Sequence, residues 1–193
     1  MNRRPIMVRP PDSIVTNRLT LRRWAPEHAV PMKAAIDASL AHLQAWMPWA
    51  TAEPTPLPDL GQRLAQFGAD FDAGHRWLYG VFPPDETVVL GGVGLHPVTD
   101  PNAPADSLEI GYWLRADMTG KGYATEAVRA VSHLPGIALV QIRCDPRNTR
   151  SAAVARRLGF HHSATLLGNA TTPAGRPRDT MIWQLSHQGK QVR

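Results

Sequence analysis

The chain has one cysteine, Cys144, in 193 residues. A single thiol excludes an intrachain disulfide framework and a multi-cysteine zinc site. It ends the apolar stretch Ile137-Ala-Leu-Val-Gln-Ile-Arg-Cys144, where a small buried packing residue is expected rather than a nucleophile. No apolar run reaches the length of a membrane span. The basic residues of Met1-Asn-Arg-Arg-Pro-Ile-Met7 are not followed by a hydrophobic core, so no secretory signal is expected, and a cytoplasmic protein is. Internal repeats and biased tracts are absent. The eight histidines show no metal-ligand spacing, and the adjacent His161 and His162 would point to opposite faces of a strand. No metal is expected.

What is present is an ordinary globular composition, 43% hydrophobic and 19% charged, sufficient for one compact domain. The net charge of +5 suits an anionic partner such as nucleic acid, a membrane surface or a phosphate-rich cofactor. No RNA-recognition motif or aromatic-basic interleaving accompanies it, so nucleic acid is not the expected partner. A homodimer is left open. The 18 prolines cluster near the N-terminus, around 48–58, and at 83–84, 97–104 and 173–177. Proline lacks the amide hydrogen and restricts the residue before it, so these clusters mark loops and element boundaries.

Residues 1–15 read as an arm, 16–187 as the domain and 188–193 as a tail. Alternation over 17–24 predicts a strand. Pro26-Glu27 opens a helix to about Asp37, followed by a short helix over 40–47. Leu60, Leu64, Phe67 and Phe71 recur at spacings of four, three and four, which predicts one buried face of a helix over 58–73. Strands are predicted at 77–82 and 87–95 as a hairpin, then at 107–115. A helix over 123–134, a strand over 137–144 and a helix over 149–158 closed by Gly159 follow. Two last strands are expected near 160–166 and 180–185. A mixed α/β single sheet accommodates this order.

In Leu108-Glu-Ile-Gly-Tyr-Trp-Leu-Arg-Ala-Asp-Met-Thr-Gly-Lys-Gly-Tyr-Ala-Thr-Glu-Ala127, a strand runs into a loop whose glycines stand where a helix begins. Glycine lets the backbone approach a ligand closely. The first amides of a helix have no intrahelical partner and lie at the positive end of its dipole, which suits a pyrophosphate. The turn is not a P-loop, since Gly120-Lys121 is followed by Gly122-Tyr123. It is not a dinucleotide fingerprint, since the third glycine is missing.

Four motifs stand in order: Glu109-Ile-Gly-Tyr-Trp-Leu114, Gly120-Lys-Gly-Tyr-Ala-Thr-Glu-Ala127, Asp145-Pro-Arg-Asn148-Thr-Arg-Ser151 and Leu158-Gly-Phe160. Together they resemble the GNAT N-acyltransferase superfamily, and more narrowly its branch that acetylates N-terminal amines of ribosomal proteins. Asn17-Arg-Leu-Thr-Leu-Arg22 resembles that branch's opening strand. The resemblance covers about residues 15–186. It implies an α/β fold with a single, mostly antiparallel twisted sheet whose strands at 107–115 and 137–144 splay apart. It also implies acetyl-CoA as co-substrate, with no metal, and an amine acceptor on a protein N-terminus or a small molecule. Alternatives are a longer donor such as succinyl-CoA, which needs a basic residue near the acyl pocket, or a non-catalytic CoA-binding module.

By that resemblance, backbone amides of Gly120, Lys121, Gly122, Ala124 and Thr125 hold the pyrophosphate. Trp113, Leu114 and Arg115 pair with pantetheine amides, and an amide near Leu114 holds the oxyanion. Asn148 contacts the pantetheine arm, and Ser151 sits near the sulfur. Asp117 departs from the family pattern, being an acid close to where phosphates belong, and is expected to point outward. Glu109 is the expected base, its pKa raised amid Leu108, Ile110 and Tyr112. The tyrosine that many relatives carry seven residues after the asparagine is Ala155 here, so Ser151 becomes the expected acid, with Tyr123 in reserve. Trp46, Trp49, Trp77 and Tyr79 are candidates for lining the acceptor site, and Glu53 and Asp106 for meeting the ammonium.

Overall fold

Eight strands form one sheet in the order β1-β2-β3-β4-β5-β6-β8-β7. In the computed structural model, which describes residues 10–98, 107–172 and 174–187, the first four are β1 (Ser13–Val15), β2 (Thr20–Arg23), β3 (Trp77–Phe82) and β4 (Gly91–Pro97). The others are β5 (Ser107–Leu114), β6 (Leu139–Cys144), β7 (His161–Thr171) and β8 (Pro177–Ser186). The helices are α1 (Ala29–Asp37), α2 (Leu40–Gln44), α3 (Leu57–Asp72), α4 (Tyr123–Ser132) and α5 (Thr149–Arg157). All neighbouring strands are antiparallel except β5 and β6. A parallel pair needs a crossover, and α4 supplies it.

That parallel pair is short. Ser107 faces Leu139, Leu108 faces Val140 and Glu109 faces Gln141. Past Glu109, β5 runs on to Leu114 against β4, while β6 runs on to Cys144 against β8. The two strands therefore part, and residues 110–114 have no strand partner on the β6 side. This is the expected splay, and its apex is Glu109.

Two buried clusters lie on the two faces of the sheet. One joins Leu108, Ile110, Val140 and Ile142 to Val128 and Val131 of α4 and to Ala152 and Ala155 of α5. The other joins Met32 and Ile36 of α1, Leu43 of α2, and Leu60 and Leu64 of α3 to Trp24, Phe82 and Val89, with Trp113 packed against it. The four-three-four spacing predicted for α3 holds, since Leu60, Leu64 and Phe71 are buried. On this face β4 carries glycine for want of space. A Cβ on Gly92 would stand 2.5 Å from Nε1 of Trp113, whose indole crosses that strand.

Several boundaries differ from the sequence expectation. Ser13–Val15 belongs to the sheet rather than to an arm, because it pairs with residues 20–22 and Ile14 packs on the first core. The rest of the predicted arm to residue 9 and the tail at 188–193 lie outside the described residues. The strand expected from 87 begins at Gly91, since Thr87 is held in a turn by Asp85. The terminal hairpin is longer than expected, reaching Thr171 and starting again at Pro177.

Candidate active site

Two glycines bracket the turn that leads into α4. Gly120 and Gly122 have φ of 77° and 83°, a left-handed conformation that glycine adopts without steric cost. Gly122 is the residue from which α4 starts, and no side chain caps that helix. The first intrahelical bond runs from Glu126 N to Gly122 O at 3.0 Å. The amides of Tyr123, Ala124 and Thr125 therefore lack an intrahelical acceptor. Asp117 is turned outward, its carboxylate held below its usual range by Arg115 at 2.9 Å.

A residue from the other end of the chain fastens this turn. Arg18 Nη1 donates to Lys121 O at 3.0 Å, and its Nε and Nη2 meet the Glu126 carboxylate at 2.8 and 2.7 Å. Glu126 also accepts from Thr16 Oγ1 at 2.7 Å and from the Arg18 amide at 2.8 Å. The Arg18 guanidinium lies 4.9 Å over the Tyr123 ring, which leaves Tyr123 as packing behind the turn. The sequence marks Arg18 only as part of an opening strand, and the lone signal of this role is the acid at Glu126 in the first turn of α4.

Strand geometry decides which peptide groups face the gap between β5 and β6. Arg115 N donates to Leu90 O at 2.9 Å, and Arg115 O accepts from Met118 N at 3.0 Å. By alternation, the peptide groups of Glu109, Gly111 and Trp113 also turn to β4, and those of Ile110, Tyr112 and Leu114 turn to the gap. Of Trp113, Leu114 and Arg115, expected to offer backbone pairing, only Leu114 turns its peptide groups to the gap, with Tyr112 beside it.

Glu109 shares one sheet face with His96 and Gln141, its partners on β4 and β6. Its side chain is 35% exposed, and Arg143 Nε stands 3.7 Å from its carboxylate. Burial pushes the Glu109 carboxyl above its usual range, while Arg143 and Arg178 pull it back. Burial pushes His96 below its usual range, and its ring lies over Gly111 on the same face.

Ser151 lies in the first turn of α5, whose start is capped by Asn148, with Ser151 N donating to Asn148 Oδ1 at 3.1 Å. That bond engages the Asn148 side-chain oxygen, leaving the amide nitrogen for the contact expected with the pantetheine arm. Ser151 Oγ lies 2.8 Å from the Tyr112 hydroxyl. Burial pushes the Tyr112 phenol up to about 12, with Ser151 drawing it the other way, so the group is protonated at neutral pH. Cys144 is buried, and that burial raises its thiol, as suits a packing residue. Sequence reasoning missed Tyr112. The hydroxyl absent at the fully buried Ala155 arrives instead from β5, across the gap in sequence but adjacent in space.

The acceptor-side candidates separate. Trp77 and Tyr79 are 1% and 0% exposed, and their register with Leu95 and Val93, and through them Ile110 and Tyr112, sets them on the face opposite Glu109. They are core residues, and the Tyr79 hydroxyl is spent on Pro11 O at 2.8 Å. Trp46 and Trp49 are half-buried, and Trp49 meets Trp113 edge-on at 5.8 Å, on the Glu109 face. Glu53 is a structural acid: burial alone would raise it, yet Arg63 at 2.7 Å and Thr55 N at 2.6 Å hold it below its usual range. Asp106 lies outside the described residues. Among the described residues no three His, Cys, Asp or Glu side chains converge as metal ligands would, and no helix is long and apolar enough to cross a membrane.

An uncapped helix start at the mouth of a splayed strand pair, with a carboxylate at the apex and a hydroxyl pair across the gap, is the frame of a CoA-dependent acyltransferase. The acetyltransferase (GNAT) domain model matches residues 18–161, and the chain belongs to that family. No curated protein matches it. Among solved structures it is similar to a microcin C7 self-immunity acetyltransferase, MccE, in complex with acetyl-CoA and AMP, at TM-score 0.81 and 23% identity over 93% of this chain and 99% of that one. It is also similar to RimL, the ribosomal L7/L12 alpha-N-protein acetyltransferase in complex with coenzyme A, at 0.78 and 20% over 93% and 97%. The ribosomal-protein-S5-alanine acetyltransferase of Vibrio fischeri gives 0.76 and 20% over 91% and 97%. At these identities the likeness is one of fold.

Proposed function

We propose that this chain transfers the acetyl group of acetyl-CoA to a primary amine by direct attack, with Glu109 as base and the Tyr112–Ser151 pair as acid. The observation that carries the reading is the coincidence of two unsatisfied backbone sets. Free amides at the start of α4 suit a diphosphate, and free peptide groups of β5 suit an amide-bearing arm entering the splay. Bound acetyl-CoA would supply the activated acyl group, and titratable side chains of the chain supply the rest.

Glu109, raised above an ordinary carboxylate by burial yet steadied by Arg143 and Arg178, takes a proton from the incoming ammonium. The Leu114 amide, facing the gap, polarises the acyl carbonyl. Ser151 passes a proton to the departing sulfur and is refilled from Tyr112, 2.8 Å away. Gly120, Lys121, Gly122, Ala124 and Thr125 serve the pyrophosphate through their backbone, and the Asn148 amide nitrogen serves the pantetheine arm. Trp46 and Trp49 border the acceptor. The ribosomal-protein acetyltransferases among the structural relatives favour an N-terminal α-amine as acceptor, and the cytoplasmic setting expected from the sequence goes with that reading.

Release of free thiol from acetyl-CoA in the presence of an amine panel tests the reading. Amine-dependent thiol release is expected. Tight CoA binding without any turnover would leave a binding module instead.

A further inference from the structure

A second cation, Arg178, lies on the Glu109 side of the sheet. On β8, Gln184 lies opposite Gln141 and Ile182 lies opposite Arg143, so these share the Glu109 face. Alternation carries that face on to Thr180 and Arg178, past the end of β6. Arg178 lines a groove of about 560 Å³ between the turn at Pro48–Ala52 and the β7–β8 hairpin, with Pro48, Thr51, Ala170, Thr171 and Thr172. Its Nε donates to Thr171 O at 3.2 Å, which fixes the side chain and leaves both terminal nitrogens without a protein acceptor among the described residues. No carboxylate of those residues forms an ion pair with it, a condition it shares with Arg129, Arg150, Arg156, Arg157 and Arg176, none of which lines this groove. Two residues along the same face, the buried Thr180 Oγ1 also has no hydrogen-bond partner.

From this guanidinium, on the Glu109 face of the sheet and in the groove bordered by the Pro48–Ala52 turn, we infer that Arg178 is an acceptor-binding residue, and that the acceptor is an amine that also bears a carboxylate or phosphate. The inference rests on the acetyltransferase reading and sharpens its substrate class. Arginine's planar fork matches a carboxylate or phosphate in two-point geometry, and with Glu109 on the same sheet face the pair presents opposite charges to one molecule. The charge of Arg178 pulls the carboxyls of both Glu109 and Asp145 downward. The amine goes to Glu109 and the anion to Arg178.

The test measures acetyl transfer by the full chain on amines matched in pairs. Tyramine is set against tyrosine, ethanolamine against phosphoethanolamine, and a peptide with Asn at its second position against the same peptide with Asp. The anionic member of at least one pair is expected to win by about tenfold in kcat/KM, the size of one charge-assisted hydrogen bond. The pair that shows it names the source of the anion. Because both members of a pair share one base, their ratio isolates the anion contact. That ratio is expected to fall towards one in Arg178→Ala and to be partly kept in Arg178→Lys. Ratios at or below one in every pair of the unmodified protein would overturn the proposal, as would a preference that survives Arg178→Ala. An Arg178-dependent preference for succinyl-CoA over acetyl-CoA would also overturn it, by assigning the guanidinium to the donor. Failure of acetyl-CoA to bind in calorimetry would instead sink the parent reading.

Discussion

The Tyr112 hydroxyl and Ser151 Oγ stand 2.8 Å apart, joining the splayed strand β5 to the first turn of α5. The bond links two groups on opposite banks of the gap, and Tyr112, a phenol still protonated at neutral pH, is the more acidic of the two hydroxyls. Tyr112→Phe keeps the ring in its packing and removes the oxygen. Turnover is expected to fall about three- to tenfold, the value of one hydrogen bond, while acetyl-CoA affinity is kept. Ser151→Ala is expected to fall further, and adding Tyr112→Phe to it to cost little more, since the two act in series. Steady-state kinetics of the four proteins, with calorimetry for CoA, checks this. Additive losses would separate the two residues.

Glu109 gives a prediction with a sign. Burial holds its carboxyl above the ordinary range, so the base form appears only as pH climbs past that raised value. The acid limb of kcat/KM is therefore expected above the roughly 4.3 of a free glutamate. Arg143 pulls the carboxyl down, so Arg143→Gln is expected to move the limb higher still. Glu109→Gln is expected to lose the limb and on the order of a hundredfold in turnover with CoA affinity intact. An acid raised by folding costs stability as it ionises, from the unfolded pKa upward. The glutamine variant is therefore expected to melt higher than the parent at neutral pH.

Gly122 is constrained by its backbone and by its neighbour. Its φ is 83°, and a Cβ there would stand 3.3 Å from Nη2 of Arg18. Gly122→Ala is expected to cost about 1–2 kcal/mol from the left-handed conformation alone, a melting shift of roughly 2–8 °C. The added methyl also presses on the guanidinium that holds Lys121 O, so CoA affinity is expected to fall as well. Thermal melts with and without CoA separate the two effects. A loss of stability with unchanged CoA affinity would remove the turn from the donor site.

The same residues show what a sequence can and cannot carry. The α3 face was legible because its period of about 3.6 leaves a stripe of apolar side chains, and the start of α4 because glycine before a helix has a local cause. β1 was not, since three residues are too few for an alternation to register. Trp77 and Tyr79 look like any aromatics near a binding site, and only their pairing with Leu95 and Val93 reveals the face they occupy. Glu53 was misjudged for a similar reason: its partner Arg63 is visible only after α3 folds beside the turn. The Tyr112–Ser151 bond spans 39 residues and depends on how far the strands part, which no local pattern records.

Glu126 closes the loop between the first hairpin and the glycine turn, and its titration should be felt at the donor site. Burial would raise its carboxyl, but bonds from Thr16 and from the Arg18 amide and guanidinium hold it below its usual range. A carboxylate depressed by folding contributes stability above its unfolded pKa and loses it as pH falls through the lower folded value. Wild-type protein is therefore expected to keep the lock at neutral pH and to lose it in acid. Glu126→Gln keeps the shape, sacrifices the charge and is expected to lower stability at neutral pH by about 1–2 kcal/mol, with Arg18 half in solvent and so partly screened. The gap in melting temperature between the two proteins should close as pH falls below the carboxylate range. With Arg18 loosened from Lys121 O, acetyl-CoA affinity in the variant is expected to drop at neutral pH, and Arg18→Ala should reproduce that drop. A variant with lowered stability and full CoA affinity would show that the lock braces the hairpin alone, leaving the glycine turn to hold its shape unaided.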